Sequence, residues 1–278
     1  MYFNGCGAWW WRGRRVEHGV RTYGVQSFGL TDGRPGRRVH GGEVEMPRFA
    51  RVVLPGMPYH ITHRGNHRGS VFFTEEDREV YLAMLAESIR RHGVEIRAWC
   101  LMTNHVHFVG VARERNSFAN GIGRTQMRYS RRINTERGWT GHLWANRFHS
   151  SVLDGRHLLA ALKYVEQNPV RAGLVARCEH YSWSSAAYHV GLRSCDPLVL
   201  PRDTFGDLVE DWGEWVNTRL DQATEDRLRS STASGRPCGS VEFVRELEVS
   251  LARDLSAPKR GRPRKAAPET APADDLFG

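Results

Sequence analysis

Two histidines one residue apart, His105 and His107, and a tyrosine and an asparagine four apart, Tyr164 and Asn168, are the residues of this 278-residue chain whose types and spacing could do chemistry. Alternate side chains of a strand share a face, so two imidazoles at such positions can meet one divalent ion. Positions four apart on a helix are neighbours, so the phenol and the carboxamide can be offered together from a second element. The combination would be a metal beside an oxygen nucleophile. The pair is weak by itself, because thirteen histidines placed at random would give roughly 0.6 such pairs. A satisfied pair of core histidines explains the spacing as well as a metal site does. Tyr164 stands among Leu158, Leu162 and Val165, where a core-edge tyrosine with a wet hydroxyl is the plain alternative. Asn168, before Pro169, could simply end a helix.

The elements that must position these residues can be read from the pattern. Trp99-Cys100-Leu101-Met102 reads as an apolar strand, Thr103-Asn104 as a tight turn, and the segment from His105 to Val111 as the returning strand of a hairpin. Around it the core reads as a strand at 58–64, a helix at 75–92, strands at 94–101 and 105–111, a helix at 116–136, an extended stretch near 143–153 and a helix at 156–168. Thr74 before Glu75, Glu76 and Asp77 supplies a capping hydroxyl and acids at the positive end of the dipole, and Gly93 ends that helix. Strand, helix, strand, strand, helix is the opening of an α+β, ferredoxin-like sandwich with a central antiparallel sheet. Beyond Tyr188 the pattern weakens. Residues 203–220 allow a helix, 230–239 read as a loop, and Ser240 caps a helix whose apolar face is Phe243, Val244, Leu247 and Leu251.

Four stretches carry a resemblance to a known family: Tyr59-His60-Ile61-Thr62-His63-Arg64-Gly65-Asn66, Val71-Phe72-Phe73, Met102-Thr103-Asn104-His105-Val106-His107-Phe108, and Tyr164 through Gly173. Over Met46 to about Tyr188 the chain resembles the HUH single-tyrosine transposases, and among them the REP-associated tyrosine transposases. Thr103 departs from the proline more usual there, and touches the turn rather than the ligands. The resemblance implies Tyr164 as the nucleophile and a 5′-phosphotyrosine as its product. Mg²⁺ or Mn²⁺ would be held by His105, His107 and the Asn168 carbonyl oxygen, with single-stranded or hairpin DNA as partner. A tyrosine hydroxyl, with an unperturbed pKa of about 10, needs such help to attack a phosphodiester near neutrality. His60, His63 and His149 stay outside this metal shell, and Gln167 is at most an auxiliary. The competing reading is a domesticated, non-cleaving DNA- or RNA-binding protein on the same fold.

Charge agrees with a polyanionic partner. The net charge is +9, and it is segregated: residues 46–192 carry 20 basic and 11 acidic groups, residues 193–255 carry 8 and 13, and residues 256–265 carry five and none. Such a distribution favours nucleic acid over a membrane surface. Arg124, Arg128, Arg131 and Arg132 recur at helical spacing, as a face for phosphates or merely a solvated one. Arg260, Arg262 and Arg264 flank Gly261 and Pro263 in an AT-hook-like strip. Five cysteines without CxxC spacing suggest neither a disulfide framework nor a zinc ribbon, and fit a reducing, cytoplasmic setting near the nucleoid. No apolar run reaches the roughly 18 residues of a membrane span. The expected organisation is a disordered or mis-started segment at 1–45, a catalytic domain at 46–190, a helical appendage at 191–255 and a disordered basic tail at 256–278. A homodimer is compatible with this plan, and nothing in the sequence chooses between it and a monomer.

Overall fold

The computed structural model describes residues 53–199 and 209–255. The segment 1–45 and the tail with Arg260, Arg262 and Arg264 lie outside the described residues. Four strands, β1 (Pro58–Arg64), β2 (Val94–Met102), β3 (His105–Ala112) and β4 (His149–Val152), form one sheet in the order β2-β3-β1-β4. Every neighbouring pair is antiparallel. Helix α1 (Glu75–Arg91) links β1 to β2, and α2 (Arg124–Arg137), entered through a π-helical turn at Ala119–Gly123, links β3 to β4. This is the expected ferredoxin-like α+β arrangement.

Local chemistry explains the element ends. Thr74 Oγ1 accepts from the Asp77 amide while Asp77 Oδ2 accepts from the Thr74 amide, a reciprocal cap worth about 1 kcal/mol. Gly93, at φ +63°, closes α1 in a left-handed conformation that a glycine adopts without strain. Met102 pairs with His105, so Thr103-Asn104 is the expected two-residue turn.

The sheet is covered on both sides. Tyr59 and Ile61 of β1, Val106 and Phe108 of β3, and Trp99 and Leu101 of β2 meet α1, α2 and the turn that enters α2 through Tyr81, Leu85, Phe118, Ile122 and Tyr129. Each such side chain, fully buried, contributes about 1.5–3 kcal/mol. A bulge between Ile96 and Ala98 shifts the alternation by one, turning Ala98, Cys100 and Met102 to the opposite face. There they meet Leu158, Leu162 and Val165 of α3 (Gly155–Glu166) and Leu228 of α7 (Gln222–Ser234).

Three expectations are corrected. The helix read as 156–168 stops at Glu166, and a separate short helix, α4 (Asn168–Arg171), follows, so Tyr164 and Asn168 belong to different helices. Much of the segment read as a loop at 230–239 is helical, because α7 runs to Ser234 before Gly235 ends it at φ +72°. Of the residues read as a helix at 203–220, those described hold only α6 (Trp212–Asn217); the short α5 (Ala186–His189) precedes it. Helix α8 (Val241–Leu251) is as expected, with Leu247 buried and Phe243, Val244 and Leu251 against the main core. No helix among the described residues is long and apolar enough to cross a membrane.

Candidate active site

Strand alternation fixes the site. With Val106 and Phe108 turned to the α1–α2 layer, His105 and His107 must face the α3–α7 layer, and so must His60 of the neighbouring β1. Helix α3 lays Tyr164 over them. The Tyr164 ring centroid lies 5.4 Å from that of His60 and 5.7 Å from that of His107, edge to face in both cases. Tyr164 is only 5% exposed, so it is not the wet core-edge residue of the plain reading.

Hydrogen bonds decide which imidazole nitrogens are left for a ligand. Asn104 Nδ2 donates to the Arg68 carbonyl at 2.9 Å, so its Oδ1 is the atom 2.6 Å from His105 Nδ1. That nitrogen must therefore carry the proton, and Nε2 keeps a lone pair. His107 Nδ1 is engaged by His60 Nε2 at 3.0 Å, which again leaves Nε2. Asn168 Nδ2 donates to the carbonyls of Tyr164 at 3.2 Å and Val165 at 3.1 Å, so Oδ1 is the atom left to ligate. Two imidazole nitrogens and one amide oxygen suit a divalent ion of borderline hardness. Among the described residues no group of three or more His, Cys, Asp or Glu could hold a metal.

Electrostatics keep the imidazoles neutral, as ligation requires. Burial, reinforced by the charge of Arg171, pushes His60 down to about 3. Burial, with Arg64 and Arg171, brings His105 to about 4. His107 lies well below the ordinary histidine value, chiefly through burial and then through His105 and His60.

Two arginines that sequence reasoning left without a role complete the site. The Arg171 guanidinium sits 4.0 Å from the Tyr164 ring centroid and donates through Nη2 to the Tyr164 carbonyl at 3.0 Å. Arg229 of α7 donates through Nε to Tyr164 Oη at 3.2 Å, and Thr232 Oγ1, one helical turn on, lies 2.7 Å from His60 Nδ1. No periodicity marks α7 in the sequence, because Leu228 is its one buried apolar side chain. Arg171 lies inside the stretch beginning at Tyr164, which was the available signal.

Other expected residues are placed elsewhere. The α2 helix packs on the opposite layer from Tyr164, so Arg124, Arg128, Arg131 and Arg132 do not join this site. Arg128 and Arg132 also face carboxylates, Glu87 for the first and Glu76 and Glu136 for the second. His63 points to that far layer too, stacked on Trp144. His149 is exposed and reaches the Ala233 carbonyl. Gln167 donates to the carbonyls of Val216 and Thr218, away from the phenol, and so ties α6 in place.

Comparison with known proteins agrees with the resemblance seen in the motifs. Residues 54–168 match the family model described as IS200-like transposase, a segment that runs from the first strand through Asn168. Among solved structures the chain matches a REP-associated tyrosine transposase bound to a REP hairpin, at 18% identity over 64% of this chain and all of that one, with a TM-score of 0.43. It also matches a protein described as a transposase of Deinococcus radiodurans R1, at 16% identity over 46% of this chain and 97% of that one, with a TM-score of 0.30. No curated protein matches the chain.

Proposed function

We propose, from the IS200-like match over residues 54–168, that this chain nicks and rejoins single-stranded DNA with Tyr164 as the nucleophile. His105, His107 and Asn168 hold a divalent ion, Mg²⁺ or Mn²⁺. The observation that carries the reading is the meeting of Tyr164 with a histidine pair whose Nδ1 atoms are both engaged. When bound, such an ion polarises the scissile phosphate and orients it for in-line attack.

The chain's own residues do the rest. Tyr164 Oη forms a bond to phosphorus as the bond to the 3′ oxygen breaks. The phenolic proton is released, the 3′ oxygen gains one and leaves as a 3′-hydroxyl, and the downstream fragment stays on the tyrosine through its 5′ phosphate. Arg229, donating to Oη, favours negative charge there, and Arg171 adds a second cation over the ring. Because the phosphotyrosine keeps the energy of the broken linkage, attack by a 3′-hydroxyl reverses the step and joins strands without ATP. Hairpin-forming repeats are the proposed substrates, on the strength of the motif resemblance.

A labelled single-stranded hairpin incubated with the protein and Mn²⁺ is expected to give a covalent adduct, absent in Tyr164→Phe and in EDTA. An adduct that survives in Tyr164→Phe removes the nucleophile. The second reading is a domesticated binder on the same fold that does not cleave. That reading predicts hairpin binding equal with and without metal, and no adduct on any hairpin.

A further inference from the structure

We propose that His60 and Thr232 are positioning residues that hold His107 by its Nδ1 and support the tautomer a metal needs, making the carboxy-terminal helix α7 part of the metal site's own support. The inference rests on the metal reading given above and deepens it. The starting observation is a chain of three buried groups from three elements: Thr232 Oγ1 of α7 lies 2.7 Å from His60 Nδ1, and His60 Nε2 of β1 lies 3.0 Å from His107 Nδ1 of β3. Thr232 and His60 are each 1% exposed and His107 is 6% exposed.

Two neutral imidazoles facing each other nitrogen to nitrogen share one proton between those nitrogens, so two arrangements exist. In one, His60 Nε2 carries the hydrogen and donates to His107 Nδ1; His107 is then protonated on Nε2, the nitrogen a metal needs. In the other, His107 Nδ1 donates to His60 Nε2, His60 carries its hydrogen on Nδ1, and that hydrogen is donated to Thr232 Oγ1. Only the second leaves a lone pair on His107 Nε2. A hydroxyl can accept or donate, so Thr232 permits the second arrangement, and a bound cation selects it. Without the threonine, a buried His60 Nδ1–H would lose this partner at a cost, and the chain would move to the first arrangement.

His105 needs no such relay, because the Asn104 oxygen already forces its Nδ1 to donate. The two ligands are thus set by different devices, one local in the β2–β3 turn and one reaching across the fold to α7. Residues that orient a ligating histidine through its second nitrogen change metal affinity about 10- to 100-fold when removed.

The test is Mn²⁺ binding by isothermal titration on the full-length protein without DNA. His60→Leu and Thr232→Val are expected to weaken binding about 10- to 100-fold. His60→Gln, whose side-chain oxygen can accept from His107 Nδ1, and Thr232→Ser should recover most of it. Ring ¹⁵N shifts of the metal-free wild type, which no folding defect can confuse, should show His105 protonated on Nδ1. On adding Zn²⁺ as a diamagnetic probe, His107 should show its proton on Nδ1. If wild type binds Mn²⁺, His107→Ala does not, and both His60→Leu and Thr232→Val bind as wild type, the relay is overturned while the metal reading stands. If wild type takes up no Mn²⁺, or His107→Ala binds as well as wild type, the metal reading itself fails and the relay with it.

Discussion

Replacing His60 by glutamine should make the protein's stability less sensitive to mild acid, by an amount that follows from burial. In the folded protein His60 titrates near 3, because burial and then Arg171 oppose its charged form; unfolded, a histidine titrates near 6.5. Between these values the unfolded chain binds a proton that the folded chain does not. Stability is therefore full above about pH 6.5 and falls as the pH drops towards 3, with a limiting slope of about 1.4 kcal/mol per pH unit. From pH 7 to pH 5 the folded group stays neutral while the unfolded one becomes almost wholly protonated, and the loss integrates to about 2 kcal/mol. His63 and His105, shifted downwards, act in the same direction but are common to both proteins and cancel in the comparison, and His107, shifted chiefly by burial, largely does so too. Asp154 and Glu179, held below their usual range despite partial burial by hydrogen bonds from His157 and Asn217 among others, titrate below this window. Urea unfolding in EDTA at the two pH values measures the effect. The wild type should lose about 2 kcal/mol more than His60→Gln, a midpoint difference of roughly 1 M for an ordinary urea dependence. Equal losses in the two proteins would refute a neutral, buried His60 and with it the hydrogen-bond pattern at His107.

Three further perturbations probe the frame of the site. Glu166, fully buried on α3, accepts from Ser185 Oγ, His189 Nδ1 and Trp212 Nε1, so Glu166→Ala removes the acceptor these three groups share and should cost about 3–5 kcal/mol in urea unfolding; a loss below 1 kcal/mol would contradict this account. A Cβ at Gly65 would fall 2.1 Å from the Gly69 carbonyl oxygen, so Gly65→Ala should displace the 65–69 loop and destabilise by about 1–3 kcal/mol, read as a lower melting temperature; an unchanged melting temperature counts against the loop geometry. Leu247 of α8 is 1% exposed in the core shared with α1 and α2, so Leu247→Ala should cost about 2–5 kcal/mol within a single unfolding transition, whereas a separate early transition would mean that the carboxy-terminal helices fold apart.

Much of this protein was legible in the sequence because its signals are local. Alternation fixes the faces of β1 and β3, so His105 and His107 point one way whatever else the chain does. Thr74 and Gly93 mark helix ends by their own hydrogen bonding and backbone preference, and Leu247 and its neighbours mark a helix by period. Tertiary structure decided what lies against the histidines. That Tyr164 comes down on their face, that the α2 arginines stand on the far layer, and that His60 bonds His107 across two strands are consequences of sheet order and layer, which no spacing along the chain encodes. Helix α7 is the clearest case. Its residues are polar and aperiodic because it buries little apolar surface, and it is held instead by Arg229, Thr232 and Glu225 meeting groups far away in the chain. Contacts of that kind become visible only once the fold has brought their partners together.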